Sequence, residues 1–258
     1  MRWEGDLHGF VARLVGWTRA KEIEQALVSI RLAVARSAHL VLRGAGDLVP
    51  IAYALHRRTL GTDKPFVVCD PRRGDTSASV RCPGNHQSGA AAIAAAAGGT
   101  LCVRPSRLPR DFAFLAETIR VAGEVQYVVC GGRDRDLHPL LVVPAPILIP
   151  PLRERLDELP RIVDEYARDA LMELGAREAC FTEGDRAWVL MHAATSLWQI
   201  EKATLRIVAL RASANMSNAA ARLGMAPVSL SRWLGRRKPL QMRLAEQRGD
   251  ALPCPSRG

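Results

Sequence analysis

Hydroxyl and guanidinium groups crowd one short stretch near the end of the chain: Ser229, Ser231, Arg232, Arg236, Arg237 and Lys238, preceded by Arg222. Such groups spaced along one helix can donate to phosphate oxygens and to base edges in the major groove of a duplex. The first turns of a recognition helix reach deepest, so Ser229, Ser231 and Arg232 are the candidate base readers. Arg222, Arg236, Arg237 and Lys238 are the candidate phosphate contacts, which fix register without reading sequence.

The elements that must position these groups are two short helices and a tight turn over residues 215–237. Ser217 can cap the first helix, its hydroxyl accepting a backbone N–H that has no partner inside the helix. Ala219, Ala220, Ala221 and Leu223 let a second helix approach closely. Gly224 suits the left-handed conformation that ends a helix, and Pro227 suits the first turn of the next. Val228, Leu230, Trp233 and Leu234 are expected to anchor that second helix to the core. The layout is a helix-turn-helix for double-stranded DNA.

A surface helical hairpin would share this local pattern, and charge separates the two. Residues 202–258 hold eleven Lys or Arg against two Asp or Glu, a balance of +9 in a chain whose total is +10. Residues 1–201 therefore carry about +1, and the excess lies in the last fifth, as in a nucleic-acid-binding module. Binding to an anionic membrane would call for a long apolar span or a basic amphipathic helix with aromatic anchors, and neither is found.

With 258 residues the chain can hold one large domain and a small one. Hydrophobic residues make up 48% and aromatics only 5%, so the core must be aliphatic. The opening residues do not read as a signal peptide, and no apolar run spans a bilayer, which implies a cytoplasmic protein. The six cysteines are dispersed with no CxxC, so neither a metal site nor a disulfide framework is expected. No Ser/His/Asp or Cys/His arrangement marks a catalytic nucleophile. His56 reads as structural, and Asp134 and Asp136 as a solvated charge run.

Along the chain, residues 17–38 read as a helix through Ile23, Leu27, Ile30 and Val34. HLVLRG is a strand, followed by a helix through Ala52, Leu55 and His56, and by the strand PFVVCD. Residues 71–89 read as a loop, the AAAIAAAAGG stretch as a buried helix, TLCVR as a strand, 110–121 as a helix, VQYVVCGG as a strand, and LLVVPAPILI as strand plus connector. Alternating strands and helices imply an α/β fold, a mainly parallel sheet with helices on both faces. Beyond Pro151 the period becomes helical, with Leu156, Leu159, Ile162, Val163 and Tyr166 on one side. Two more helices follow over 182–194 and 197–212. The expected domains are 1–150 (α/β), 151–195 (helical) and 196–258 (DNA-binding).

Together these motifs resemble the sigma-54-interacting transcriptional activators, a bacterial AAA+ ATPase family with a Fis-type helix-turn-helix. Leu14, Val15 and Gly16 are similar to its LVG box. LVLRGAG and AYALH resemble its phosphate-loop strand and helix. AAGGTL with SRLP, RDRDL, IPPLRERLDELP and IEKATLR follow in the family's order, over about residues 14–238. The resemblance implies a degenerate P-loop AAA+ sheet, a helical subdomain and an all-α helix-turn-helix. With about thirteen residues before the LVG box, no receiver domain is expected.

The departures bear on activity. The phosphate loop reads GAGDLVPIA from Gly44; it is short, has no lysine, and Asp47 would repel phosphate. Gly44 and Gly46 remain of its glycines, as the only nucleotide-binding candidates. Leu101, Cys102 and Val103 lead into Arg104 and Pro105 where Asp-Glu should hold magnesium. The sensor Asn, the arginine-finger segment, the GNxREL segment and the GAFTGA loop are all missing. The expectation is therefore a pseudo-ATPase with no cofactor and no metal, acting as a sequence-specific DNA-binding transcriptional regulator. It would work as a homo-oligomer, with RNA polymerase or another regulator as candidate partner. The alternative is an ATP-binding sigma-54-dependent activator with a rebuilt nucleotide site.

Overall fold

The computed structural model describes residues 2–36, 38–79, 82–121, 125–132, 145–177 and 180–237. The chain divides into two compact units, Met1–Pro151 and Leu152–Gly258.

The first unit is α/β. Six strands, β1 (Leu40–Gly44), β2 (Phe66–Cys69), β3 (Gly84–His86), β4 (Thr100–Val103), β5 (Gln126–Gly131) and β6 (Ile147–Ile149), form one sheet in the order β3-β2-β4-β5-β1-β6. Every named pairing is parallel. Parallel strands need crossovers, and α3 (Val49–Thr59), α4 (Gly89–Ala95) and α5 (Phe112–Val121) lie on those between β1 and β2, β3 and β4, and β4 and β5, while α1 (Arg2–Val15) and α2 (Ala20–Arg36) precede the first strand. Val41, Val67, Cys69, Leu101, Val103, Tyr127 and Val129 point to one face, where Ala92, Ala96 and Leu115 of the α4–α5 side pack on them. The alternate residues face α2 and α3, where Leu40 and Val128 meet Ile30, Ala52 and Leu55. With both faces covered, the central strands read as continuous apolar runs.

Three expectations change in this unit. The stretch 71–89, read as a loop, contributes the edge strand β3, held by Val67, Val68 and Cys69 pairing with Gly84, Asn85 and His86. Its three residues are too few and too polar to show a strand period. The alanine-rich α4, expected to be buried throughout, buries only Gly89 and Ala92. A helix lying on a sheet hides one stripe, and alanine tolerates both environments. Val34 is half-buried, its place in the core taken by Ala33.

The second unit is all helical: α6 (Leu159–Glu173), α7 (Glu183–His192), α8 (Leu197–Arg211), α9 (Met216–Arg222) and α10 (Pro227–Arg237). Ile162, Val163 and Tyr166 of α6 are buried with Ile200, Ile207 and Val208 of α8. Leu156, expected on that apolar side, lies in a 3-10 turn and is 64% exposed. The separate domain expected from residue 196 onward is not a separate body. Trp188 of α7 meets Trp233 of α10, and Asp185 of α7 accepts from Arg211 of α8 at 2.9 Å. Helices on both sides of residue 195 thus share one core.

No helix among the described residues is long and apolar enough to cross a membrane. Among the described residues Cys69, Cys82, Cys102 and Cys130 are free.

Candidate nucleic-acid interface

α9 begins at Asn215, whose side-chain oxygen accepts from the Asn218 amide at 2.8 Å. The expected cap, Ser217, lies inside the helix and is exposed. Both residue types can cap, and the winner is the one that takes the extended backbone before the first turn; Asn215 does, at φ −153° and ψ 171°. Ala219 and Ala220 are fully buried, which brings α9 close to its neighbours. Gly224 closes the helix at φ +62°, and Pro227 opens α10. The turn chemistry expected from Gly224 and Pro227 is therefore present.

α10 is anchored by Leu230 and Trp233, which are 0% and 6% exposed. Trp233 sits edge to face with Trp188 at 5.9 Å, and the Arg206 guanidinium of α8 lies 5.1 Å from its ring centre. Leu234 is half-buried. Val228, expected to anchor as well, is 59% exposed: the helix buries the row through 230 and 233, and residue 228 falls on the opposite row.

With the anchors inward, Ser229, Ser231, Arg232 and Arg236 are all exposed on the outer side of α10. All four are expected site residues and all are accessible, though Ser229 and Ser231 lie on opposite flanks of the helix. No acidic residue occurs between positions 202 and 245, so the local field of this face is not neutralised by sequence neighbours. Arg222, expected as a phosphate contact, also has an internal partner. It is half-buried, and its guanidinium donates to the Leu174 carbonyl at 3.1 Å, tying α9 to the end of α6. For Arg237 only the backbone, within α10, is described, and Lys238 lies outside the described residues.

The loop that resembles a phosphate loop sits at the C-terminal edge of the parallel sheet, where ligands of open α/β folds bind. Cys69 and Val103 are register partners, so the residues that follow them, Asp70 and Arg104, emerge side by side. Arg104 donates to Asp70 at 2.7 Å and to Asp47 at 2.8 Å. Arg107 adds a second bond to Asp70 at 2.8 Å, and the Asp70 side chain is fully buried. Burial alone would raise the Asp70 pKa. The Arg107 hydrogen bond, the Arg72 amide and the charges of Arg107 and Arg104 outweigh it and hold the group below the usual carboxylate range.

These residues do not fit a magnesium–triphosphate. At the start of α3 the Val49 amide donates to the Asp47 carboxylate at 3.2 Å, and Pro50 removes another donor. Of the helix N-terminal amides that could receive phosphate, that of Val49 is thus occupied and residue 50 has none. Beyond β4, where the sequence resemblance would have an acid, the chain carries the cation Arg104. Gly44 serves packing: a Cβ there would lie 2.9 Å from the carbonyl oxygen and 3.0 Å from the Cβ of Ile149 on β6. Gly46 serves the turn, at φ +84°. This network of two carboxylates and three guanidiniums, Arg73 joining Asp70 at 3.6 Å, was missed in the sequence; Asp70 and Arg104 carry no motif, and only strand register makes them neighbours.

Two further residues are structural. His56 Nδ1 lies 2.8 Å from Thr100 Oγ1 and Nε2 3.0 Å from the Lys64 carbonyl, at the opposite edge of the sheet. Burial lowers its pKa. Arg155, 3% exposed, pairs with Glu158. Asp134 and Asp136 lie outside the described residues.

No protein-family model matches the chain, and no curated protein matches it. Among solved structures it is similar to NtrX from Brucella abortus in complex with ADP, at 14% identity and a TM-score of 0.46, over 84% of this chain and 68% of that one. The same protein in complex with ATP gives 16% identity and a TM-score of 0.46, over 84% and 67%. A further crystal structure of that NtrX gives 16% and 0.40, over 83% and 68%. The fold and the residue roles described here rest on the geometry above.

Proposed function

We propose that this chain is a sequence-specific DNA-binding transcriptional regulator, built on an AAA+-like α/β scaffold that does not hydrolyse ATP. One observation carries the reading: α10 turns Ser229, Ser231, Arg232 and Arg236 outward while Leu230 and Trp233 hold it from behind. A helix so held presents donors at a fixed pitch, which the major groove requires. The stretch from 202 to 245, free of acidic residues, supplies the attraction to phosphate. A single helix-turn-helix offers limited affinity, so a homo-oligomer on repeated half-sites is the working form. The α/β unit, its former phosphate loop cross-braced by Arg104, serves as a surface for self-association or for RNA polymerase or another regulator. The competing reading, an ATP-binding activator with a rebuilt site, must contend with Asp47 at the helix start and Arg104 beyond β4.

The test is duplex binding by the full chain, followed by fluorescence anisotropy over a salt series. Steep salt dependence with selected sequences bound well above random ones supports the reading. Equal, weak binding to every duplex removes sequence-specific regulation.

A further inference from the structure

Between residues 228 and 236, Val228 is the only exposed apolar side chain; the other exposed positions are Ser229, Ser231, Arg232, Gly235 and Arg236. In the free chain it gains little. A β-branched residue costs a few tenths of a kcal/mol against alanine in a helix, and here no burial repays that. Its χ1 is nearly fixed in a helix, so its two methyl groups are held in one direction with little entropy to lose on contact. It occupies the second position of α10, at the end of a recognition helix that enters the groove most deeply. Arg232, one turn further on, shares its row.

The only apolar group on the major-groove edges of base pairs is the C5-methyl of thymine. We propose that Val228 is a specificity-determining residue that packs its methyl groups on a thymine C5-methyl. The inference rests on the DNA-binding reading above and adds a base to it. Four residues advance roughly 6 Å along a helix, and bases on one strand are spaced about 3.4 Å apart. The thymine therefore lies within about two base pairs of the base met by Arg232, for which guanine is the matching partner.

The test exposes the full-length chain and its Val228→Ala variant to a pool of randomised duplexes. An exposed valine can be removed without opening a cavity, and unchanged circular dichroism checks the fold. Wild type should select thymine at a fixed spacing from guanine, while the variant keeps the guanine and relaxes the thymine. Replacing that thymine by uracil removes one methyl group and should weaken wild type about fourfold, leaving the variant unchanged. An identical preference in both proteins, or undiminished wild-type binding to the uracil duplex, overturns the assignment of Val228 alone. If wild type selects no sequence at all, the DNA-binding reading falls and this inference with it.

Discussion

Trp188 and Trp233 meet edge to face with ring centres 5.9 Å apart, and this contact joins α7 to α10. Arg206 lies over Trp233, and His192 lies 5.2 Å from the Trp188 ring centre, so the aromatic pair is braced on both sides. The pitch of the helix that would enter DNA is therefore set by helices that precede the helix-turn-helix in the sequence. Trp233→Ala should destabilise the helical unit by about 3–5 kcal/mol, the range for emptying a buried aromatic site. A double-mutant cycle with Trp188→Phe should return a coupling of about 1 kcal/mol. Denaturant unfolding measures both, and an unmoved midpoint for Trp233→Ala would show that the contact does not hold α10.

Arg232 and Arg236 are both exposed on α10, one at its middle and one near its end. Arg232→Ala should cost about 1–3 kcal/mol at preferred sites and blur discrimination at one base. Arg236→Ala should weaken all duplexes alike and flatten the salt slope by about one unit, and Lys238→Ala should do the same. Anisotropy titrations at several salt concentrations separate the two patterns. Identical behaviour of the Arg232 and Arg236 variants would remove the division of roles.

Millimolar magnesium–ATP should leave the thermal midpoint of the full chain unchanged and release no phosphate. A ligand that binds only the folded state raises the midpoint by mass action, so the absence of a shift reports absence of binding. Asp47 on the Val49 amide and Arg104 braced between Asp47 and Asp70 are the structural reasons for this expectation. A saturable upward shift with phosphate release would overturn the pseudo-ATPase reading.

Asp70 has its carboxyl held below the usual range, which makes it a source of stability that depends on pH. Its contribution is fully present above the unfolded value of about 3.9 and is lost as pH falls through the lower folded value. Asp70→Asn should cost about 1–3 kcal/mol near neutrality, because it leaves the partly buried guanidiniums of Arg104 and Arg107 short of a counter-charge. The gap between wild type and variant should stay level down to about pH 4 and narrow below it. A gap that widens on acidification would contradict the sign.

Gly44 and Gly46 should respond differently to alanine. At Gly44 the new methyl group meets the backbone of Ile149 across the β1–β6 pairing, so a loss of about 1–3 kcal/mol is expected. At Gly46 there is room for a methyl, and only the positive φ resists it, for about 1 kcal/mol. Neither change should alter DNA binding at temperatures where the variant remains folded. Unfolding curves and anisotropy on the same samples check both.

Much of this architecture follows from local chemistry that the sequence spells out. Apolar runs bounded by turn residues gave the strands β1, β2, β4 and β5, because a parallel strand buried on both faces needs unbroken hydrophobicity. Gly224 and Pro227 fixed the turn between α9 and α10, since each suits a backbone shape that other residues resist. The concentration of charge after residue 202 marked the basic end. Tertiary structure decided what depends on neighbours far apart in the chain. Val228 and Leu230 are equally apolar, and only the placement of Trp188 and Arg206 against Trp233 determines which row of α10 faces inward. Asn215 and Ser217 are equally able to cap, and the backbone entering α9 chooses between them. Asp70 and Arg104 become partners through the pairing of Cys69 with Val103, a register set by the whole sheet. Arg222 finds the Leu174 carbonyl because α6 ends beside α9, which no periodicity within either helix can specify.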